Sequence, residues 1–261
     1  MFDRFRNAIL RKERLRYNNI ISAAQVSLPE EWYGREYTYF HQDKSDRGTR
    51  PISEELGLLC YLSAYGKMHR DKIRIALSNM NLAEMCSSNI NIVDWGCGQG
   101  LATFVFLDYL AEQGIECAVD SITLIEPSEL ALRNAELFLT QRQKDESTRI
   151  RTINKLFCDL TERDFDGIGS GATFHLYSNI LDVPGINMKE LTSWLNVFPA
   201  TDNYIISASP KYVPGDERIR TFFSYLNHAR ILWSREESNK TYNEWGANFT
   251  FNIKVAHLHS V

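Results

Sequence analysis

The chain predicts an α/β fold: a doubly wound, mostly parallel seven-stranded sheet with an antiparallel C-terminal edge, preceded by a helical segment. Three observations predict it. From Asn91 onward, short apolar runs alternate with amphipathic stretches, the pattern of βαβ units around a parallel sheet. No strand-like run occurs before residue 90. After the last long amphipathic stretch, two alternating runs follow with no helix between them, as in a hairpin at a sheet edge.

Taken in order, residues 1–28 read as helix. Residues 29–53 are aromatic and charged, punctuated by Pro29, Gly34, Gly48 and Pro51, and read as an irregular loop. Ser53, followed by Glu54 and Glu55, resembles the start of a capping box. Helix is expected from there to residue 80, with a kink near Gly66. The expected strands are 91–95, 121–126, 151–158, 172–180 and 203–209, with terminal strands at 229–234 and 248–257. Helices are expected at 101–114, closed by Gly114, at 128–144, capped by Ser128, at 188–198 and at 217–229. The natural division is an N-terminal helical extension, 1–90, and a sheet domain, 91–261.

Apolar residues at 44% and charged residues at 24% describe a globular chain with a core, and argue against disorder. Cys60, Cys86, Cys97, Cys117 and Cys158 form no CxxC pair and no Cys/His cluster with zinc spacing, so no metal site is expected. Five scattered cysteines suggest reduced thiols. No apolar run approaches the ~20 residues of a membrane span, and the start lacks a signal-peptide core, so a cytoplasmic location is expected.

Charge is uneven. Residues 1–90 hold 14 Lys/Arg against 11 Asp/Glu, and residues 91–261 hold 15 against 22. The acidic body argues against broad binding to phosphate backbones. Arg4, Arg6, Arg11, Lys12, Arg14 and Arg16 reverse that sign locally, so residues 1–17 could meet nucleic acid, an anionic membrane surface or an acidic partner. The favoured reading is plainer: a solvated amphipathic helix that packs Phe2, Phe5 and Ile9.

Three features meet at the carboxyl ends of successive expected strands, where open α/β sheets bind ligands. Asp94-Trp95-Gly96-Cys97-Gly98-Gln99-Gly100 lies between a strand and a helix. Its glycines permit tight turns and close ligand approach, and the helix behind it offers free N–H groups. Glu126 ends the second expected strand, where a carboxylate can accept from both hydroxyls of a ribose. Asp159 ends the third, where it can accept from an adenine amino group.

The run D-W-G-C-G-Q-G resembles the first motif of class I S-adenosylmethionine (SAM) dependent methyltransferases, an acid followed by GxGxG. Its third glycine falls one residue earlier than in the GxGxxG of nicotinamide dehydrogenases. I-E-P-S at Glu126 and C-D-L at residues 158–160 are similar to the family's second and third motifs, and the resemblance spans roughly residues 88–260. It implies that Asp94 orders the loop, that Trp95, Gly96, Gly98 and Gly100 surround the methionine part of SAM, that Glu126 binds the ribose, and that Asp159 and Leu160 face the adenine. It also implies S-adenosylhomocysteine as product. A SAM-fold protein that binds without catalysing, and a nicotinamide oxidoreductase, are the competing readings.

The methyl acceptor should meet the tip of the fourth strand. That tip reads Tyr177-Ser178-Asn179-Ile180-Leu181-Asp182, unlike the Asn/Asp-Pro-Pro-aromatic signature of amino-directed DNA methyltransferases. No Pro-Cys pair offers a cysteine nucleophile. Asn179 and Asp182 are candidates for orienting the acceptor. His175 lies four residues back, roughly 13 Å from the tip at ~3.3 Å per residue, and is expected in the core. Tyr61, Tyr65 and His69 share one helix face, and Tyr65 and His69 are expected to roof the cleft, with residues 37–50 a further part of that lid. A small molecule or a protein side chain is the favoured acceptor, with RNA as the alternative.

Overall fold

The computed structural model describes residues 2–29, 48–143, 147–199, 202–226, 228–242 and 247–259. Its helices are α1 (Phe2–Leu10), α2 (Tyr17–Ser27), α3 (Glu55–Leu77), α4 (Leu82–Met85), α5 (Leu101–Glu112), α6 (Glu129–Arg142), α7 (Met188–Ser193) and α8 (Val213–Ser224). Its strands are β1 (Ile90–Trp95), β2 (Val119–Ile125), β3 (Arg149–Ile153), β4 (Ala172–Ser178), β5 (Asp202–Ser209), β6 (Arg230–Tyr242) and β7 (Ala247–His259).

They form one seven-stranded sheet in the order β3-β2-β1-β4-β5-β7-β6. β1 pairs in parallel with β2 and β4, β2 with β3, and β4 with β5. β7 runs antiparallel to both β5 and β6. This is the expected sheet with its antiparallel C-terminal edge. The order reverses direction between β1 and β4, so a crevice opens above their carboxyl ends.

The N-terminal helices belong to the same core as the sheet. Phe5 and Ile9 of α1, Ile20 of α2 and Leu62 of α3 are buried in one cluster with Phe106 of α5, Phe138 of α6 and Phe174 of β4. Phe5 meets Phe138 edge-on, with ring centroids 5.8 Å apart. The other face of the sheet buries a second cluster around Trp95, Tyr177, Phe198 and Phe222.

Several expected boundaries move. The helix over 1–28 is two helices, and α2 starts where the Arg16 N–H donates to Asn19 Oδ1 at 2.9 Å. Asp108 of α5 fixes that corner: it accepts from the Tyr17 N–H at 2.7 Å and pairs with Arg142 at 2.6 Å and Arg16 at 3.2 Å. Helix α3 starts at Glu55 without a side-chain cap, so Ser53 does not open it. It runs through Gly66, whose backbone carbonyl accepts from Tyr17 Oη at 2.6 Å. A Cβ at Gly66 would lie 2.1 Å from Ile21 Cδ1, so the missing side chain is what lets α2 lie so close. Strand β3 stops at Ile153, five residues early, because Asn154 turns to bond the Glu126 and Pro127 carbonyls at 2.9 and 3.0 Å. Helix α8 begins four residues early, with Pro214 in its first turn.

Candidate functional site

The crevice at the β1/β4 reversal is a cleft of about 660 Å³, counting the open solvent at its mouth. Asp94, Gly96, Gly98 and Glu126 line its floor, and Ser178, Asn179 and Ile180 at the end of β4 line one wall. Leu58, Tyr61 and His69 of α3 form the roof, with Gly48, Arg50 and Ile52 at the rim.

The loop after β1 turns through three left-handed glycines, Gly96, Gly98 and Gly100, with φ of 64°, 53° and 72°. Two of them are glycine for different reasons. Gly98 faces open space, with nothing within 4 Å of where a Cβ would stand. Gly100 precedes α5 and touches α6, where a Cβ would lie 3.0 Å from Ala135 Cβ. The first leaves space open on the cleft, and the second lets α5 and α6 pack closely.

Glu126 closes the loop. Its Oε2 accepts from the Gly98 N–H at 3.0 Å and its Oε1 from the Ser128 N–H at 2.9 Å. Each oxygen keeps a further lone pair for a ligand. Asp94 Oδ2 accepts from the Thr103 N–H at 3.2 Å and Oγ1 at 2.7 Å, satisfying a free donor in the first turn of α5. Burial, together with Glu126's charge, raises the Asp94 carboxyl to about 6, and burial raises Glu126 as well. No Lys or Arg is paired with either carboxyl group among the described residues.

The remaining expected residues are placed as follows. The Trp95 side chain points into the second core cluster, away from the cleft, stacked on Tyr177 at 5.7 Å. His175 lies beneath it, accepting from Trp95 Nε1 at 3.2 Å on Nδ1 and facing Asn203 Oδ1 at 3.0 Å through Nε2. Burial lowers its imidazole to about 4, so it is a neutral core residue, as expected. Asp159 does not end a strand; it is exposed on a short 3-10 turn, Phe157–Asp159, six residues past β3. Leu160 is buried beside Trp95 in the second cluster. Neither lines the cleft described above.

His69 lines the roof, whereas Tyr65 stands behind it, with ring centroids 5.1 Å from Tyr61 and 6.0 Å from His69. Burial and Lys72 hold His69 well below the ordinary imidazole range. Residues 37–47 of the expected lid lie outside the described residues. Ser128 Oγ donates to the Ile52 carbonyl, and Gln99 Nε2 to the Leu58 carbonyl at 3.2 Å, so α3 and the strap before it are tied to the floor. Asn179 sits at φ 56°, a left-handed backbone that asparagine tolerates better than most residues and that clusters at functional sites. Asp182 is half-buried, and its Oδ1 has no hydrogen bond among the described residues.

Sequence reasoning missed Lys72. It is 0% exposed, and its Nζ donates to Asn179 Oδ1. Burial lowers its ammonium to about 8, against the pull of Asp182. Its signal was present: it follows His69 by three residues on the same helix face, inside a stripe continued by Ile73 and Ala76. Gln99 was missed too, hidden among the glycines.

At the N-terminus, Phe2, Phe5 and Ile9 are buried and Arg16 is paired, while Arg4, Arg6, Arg11, Lys12 and Arg14 are exposed. Cys60, Cys86 and Cys97 are buried and Cys158 is exposed. At the far end of β5, Asp202, His257 and His259 bring one ligand atom each within 4.8 Å of the others. No described helix is long and apolar enough to cross a membrane.

No family model matches the sequence, and no curated protein matches it. Solved structures are similar at low identity. Magnesium protoporphyrin IX methyltransferase from Synechocystis PCC 6803, solved with bound SAM, is 15% identical with a TM-score of 0.45, covering 94% of this chain and 99% of that one. Geranyl diphosphate C-methyltransferase from Streptomyces coelicolor A3(2) is 10% identical with a TM-score of 0.46, covering 85% and 99%. A SAM-dependent methyltransferase from Anabaena variabilis is 13% identical with a TM-score of 0.42, covering 72% and 84%. Independently of these likenesses, the sheet order and its antiparallel edge match the class I methyltransferase fold.

Proposed function

We propose that the chain binds SAM in the β1/β4 cleft and transfers its methyl group to a small molecule or a protein side chain. The observation that carries this reading is the charge of the floor. Asp94 and Glu126 are buried together beside an open glycine, with no Lys or Arg paired to either among the described residues. SAM brings a sulfonium and an ammonium, cations that such a floor would hold. A dinucleotide brings a pyrophosphate, which the same carboxylates would repel.

In this reading Gly98 leaves room for the methionine part, Glu126 accepts from the ribose hydroxyls, and Asp94 keeps the loop and the start of α5 in place. Asp159 is proposed to face the adenine from its turn, with Leu160 behind it. When bound, SAM supplies an activated methyl group. What the chain then does is position: the acceptor atom must stand ~3–3.5 Å from the methyl carbon and on the sulfur–carbon axis. His69, Asn179 and Asp182 are the polar groups proposed to hold it there, beneath a roof that keeps water out.

Calorimetric titration with SAM, S-adenosylhomocysteine and NAD tests this directly. The first two should bind and NAD should not. In Gly98→Val a branched Cβ fills the open space and strains a left-handed backbone, so SAM binding should vanish while the fold persists. A folded Gly98→Val with an unchanged dissociation constant would contradict the assigned site.

A further inference from the structure

Lys72 is an expensive residue for the core to keep. An ammonium has three donors, and a buried one that leaves donors unused is costly. Lys72 spends one, on Asn179 Oδ1, its sole hydrogen bond among the described residues. The carboxylate that feels its charge is Asp182, yet no ion pair within 4.0 Å joins the two. Asp182 Oδ1 and Ser209 Oγ at the end of β5 are both buried with no partner at full hydrogen-bond geometry, although Ser209 and Tyr212 stand near enough to lower the Asp182 carboxyl against its burial. An ammonium with donors unused and a carboxylate with one oxygen short of a partner thus flank one strand tip. Replacing such a pair by apolar side chains of similar volume is often neutral or stabilising, so keeping it asks for a role. Asn179 lines the cleft wall, whereas Lys72 and Asp182 lie behind that lining, and it is held in its left-handed backbone by a bond from its N–H to the Ala208 carbonyl at 2.8 Å.

Resting on the SAM reading above, we propose that the open Lys72/Asp182 pair is the acceptor subsite, built for a small molecule that carries an anionic oxygen beside an O–H or N–H nucleophile. Lys72 takes the anionic oxygen with the donors it has free, and Asn179 Oδ1 holds that place until the acceptor arrives. Asp182 Oδ1 takes the hydrogen of the nucleophile. As the new C–O or C–N bond forms, the C–S bond of the donor breaks with its electron pair left on sulfur, and the proton of the nucleophile passes to the Asp182 carboxylate. The class that fits includes hydroxy acids and amino acids, and excludes acceptors with only one of the two groups.

The test uses the full chain saturated with S-adenosylhomocysteine, whose own titration reports separately on the cofactor reading. Glycolate, acetate and ethylene glycol are then titrated while the Asn179 side-chain amide is followed by NMR. Glycolate, which carries both groups, should bind at least fivefold more tightly than either of the others. Lys72→Met and Asp182→Asn should each abolish that preference and leave the affinity for S-adenosylhomocysteine within threefold. Lys72→Gln serves if the methionine variant does not fold. A protein that binds S-adenosylhomocysteine but treats the three probes alike loses the proposal. So does one whose glycolate preference survives Lys72→Met.

Discussion

Glu126 does two things with one carboxylate. It ties the Gly98 and Ser128 N–H groups together, and its remaining lone pairs face the cleft. Glu126→Ala should therefore weaken SAM binding by about 1.5–3 kcal/mol, tenfold to a hundredfold, through the lost charged hydrogen bonds. An effect under threefold in calorimetry would move the ribose contact elsewhere. His175 makes the opposite case, a titratable residue with a purely structural place. Its folded imidazole titrates at about 4, against about 6.5 in the unfolded chain. The stability it contributes is complete above pH 6.5 and lost as pH falls toward 4, by a total on the order of 3 kcal/mol. Asp94 works with the opposite sign, because its folded value near 6 exceeds its unfolded one. The measurement is thus the wild-type unfolding free energy minus that of His175→Gln, from pH 4 to 7. A difference that does not change over that range would contradict the assignment. At this scale, the place of Asp94, Glu126 and Asn179 on the cleft was legible because open α/β sheets form their crevice at the strand tips. Lys72 was not, since a lysine on a helix is ordinarily solvated and only its neighbours reveal that this one is buried. Trp95 shows the converse: period-two alternation points its side chain away from the cleft its neighbours line.

Among the elements, α2 and α3 hold the roof, and one residue outside them fixes their placement. Asp108 of α5 is 4% exposed and accepts from the first N–H of α2 while pairing with two arginines. Asp108→Ala should cost about 3 kcal/mol in urea unfolding, since it strands a buried guanidinium and a backbone donor. A loss below 1 kcal/mol would show that packing alone sets the corner. Helix α6 was legible to its cap, where Ser128 Oγ accepts from the Ala131 N–H at 3.2 Å. Strand β3 was overextended because the apolar residues at 156–157 continue its pattern, although Asn154 has already left the ladder for the Glu126 carbonyl. That turn also moves Asp159 off a strand tip. The break between α1 and α2 was hidden because the basic residues at 11–16 are good helix formers, and only Asp108, far along the chain, shows why the backbone turns there.

The whole molecule is organised around a core that ignores the division at residue 90. Phe5, Ile20 and Leu62 sit in the same cluster as Phe106, Phe174 and Val255. A chain begun at Glu55 would expose the α3, α5 and α6 surfaces that α1 and α2 cover, and should lose its cooperative thermal transition. A truncated chain that melts near the full-length temperature would show that the extension is dispensable. The sheet was legible from alternation alone, because each strand is short, apolar and followed by its own helix. The roof was legible only in outline, because which helix face meets the cleft depends on contacts between residues far apart in sequence, such as Gln99 with Leu58. Whether the β1/β4 cleft is the nucleoside site is decided by a crystal structure with S-adenosylhomocysteine, the thioether left when SAM gives up its methyl group. The account predicts the ribose hydroxyls on the Glu126 carboxylate, the methionine chain against Gly98, and the sulfur facing His69 and Asn179. A ligand bound elsewhere, or seated with its ribose away from Glu126, would contradict it.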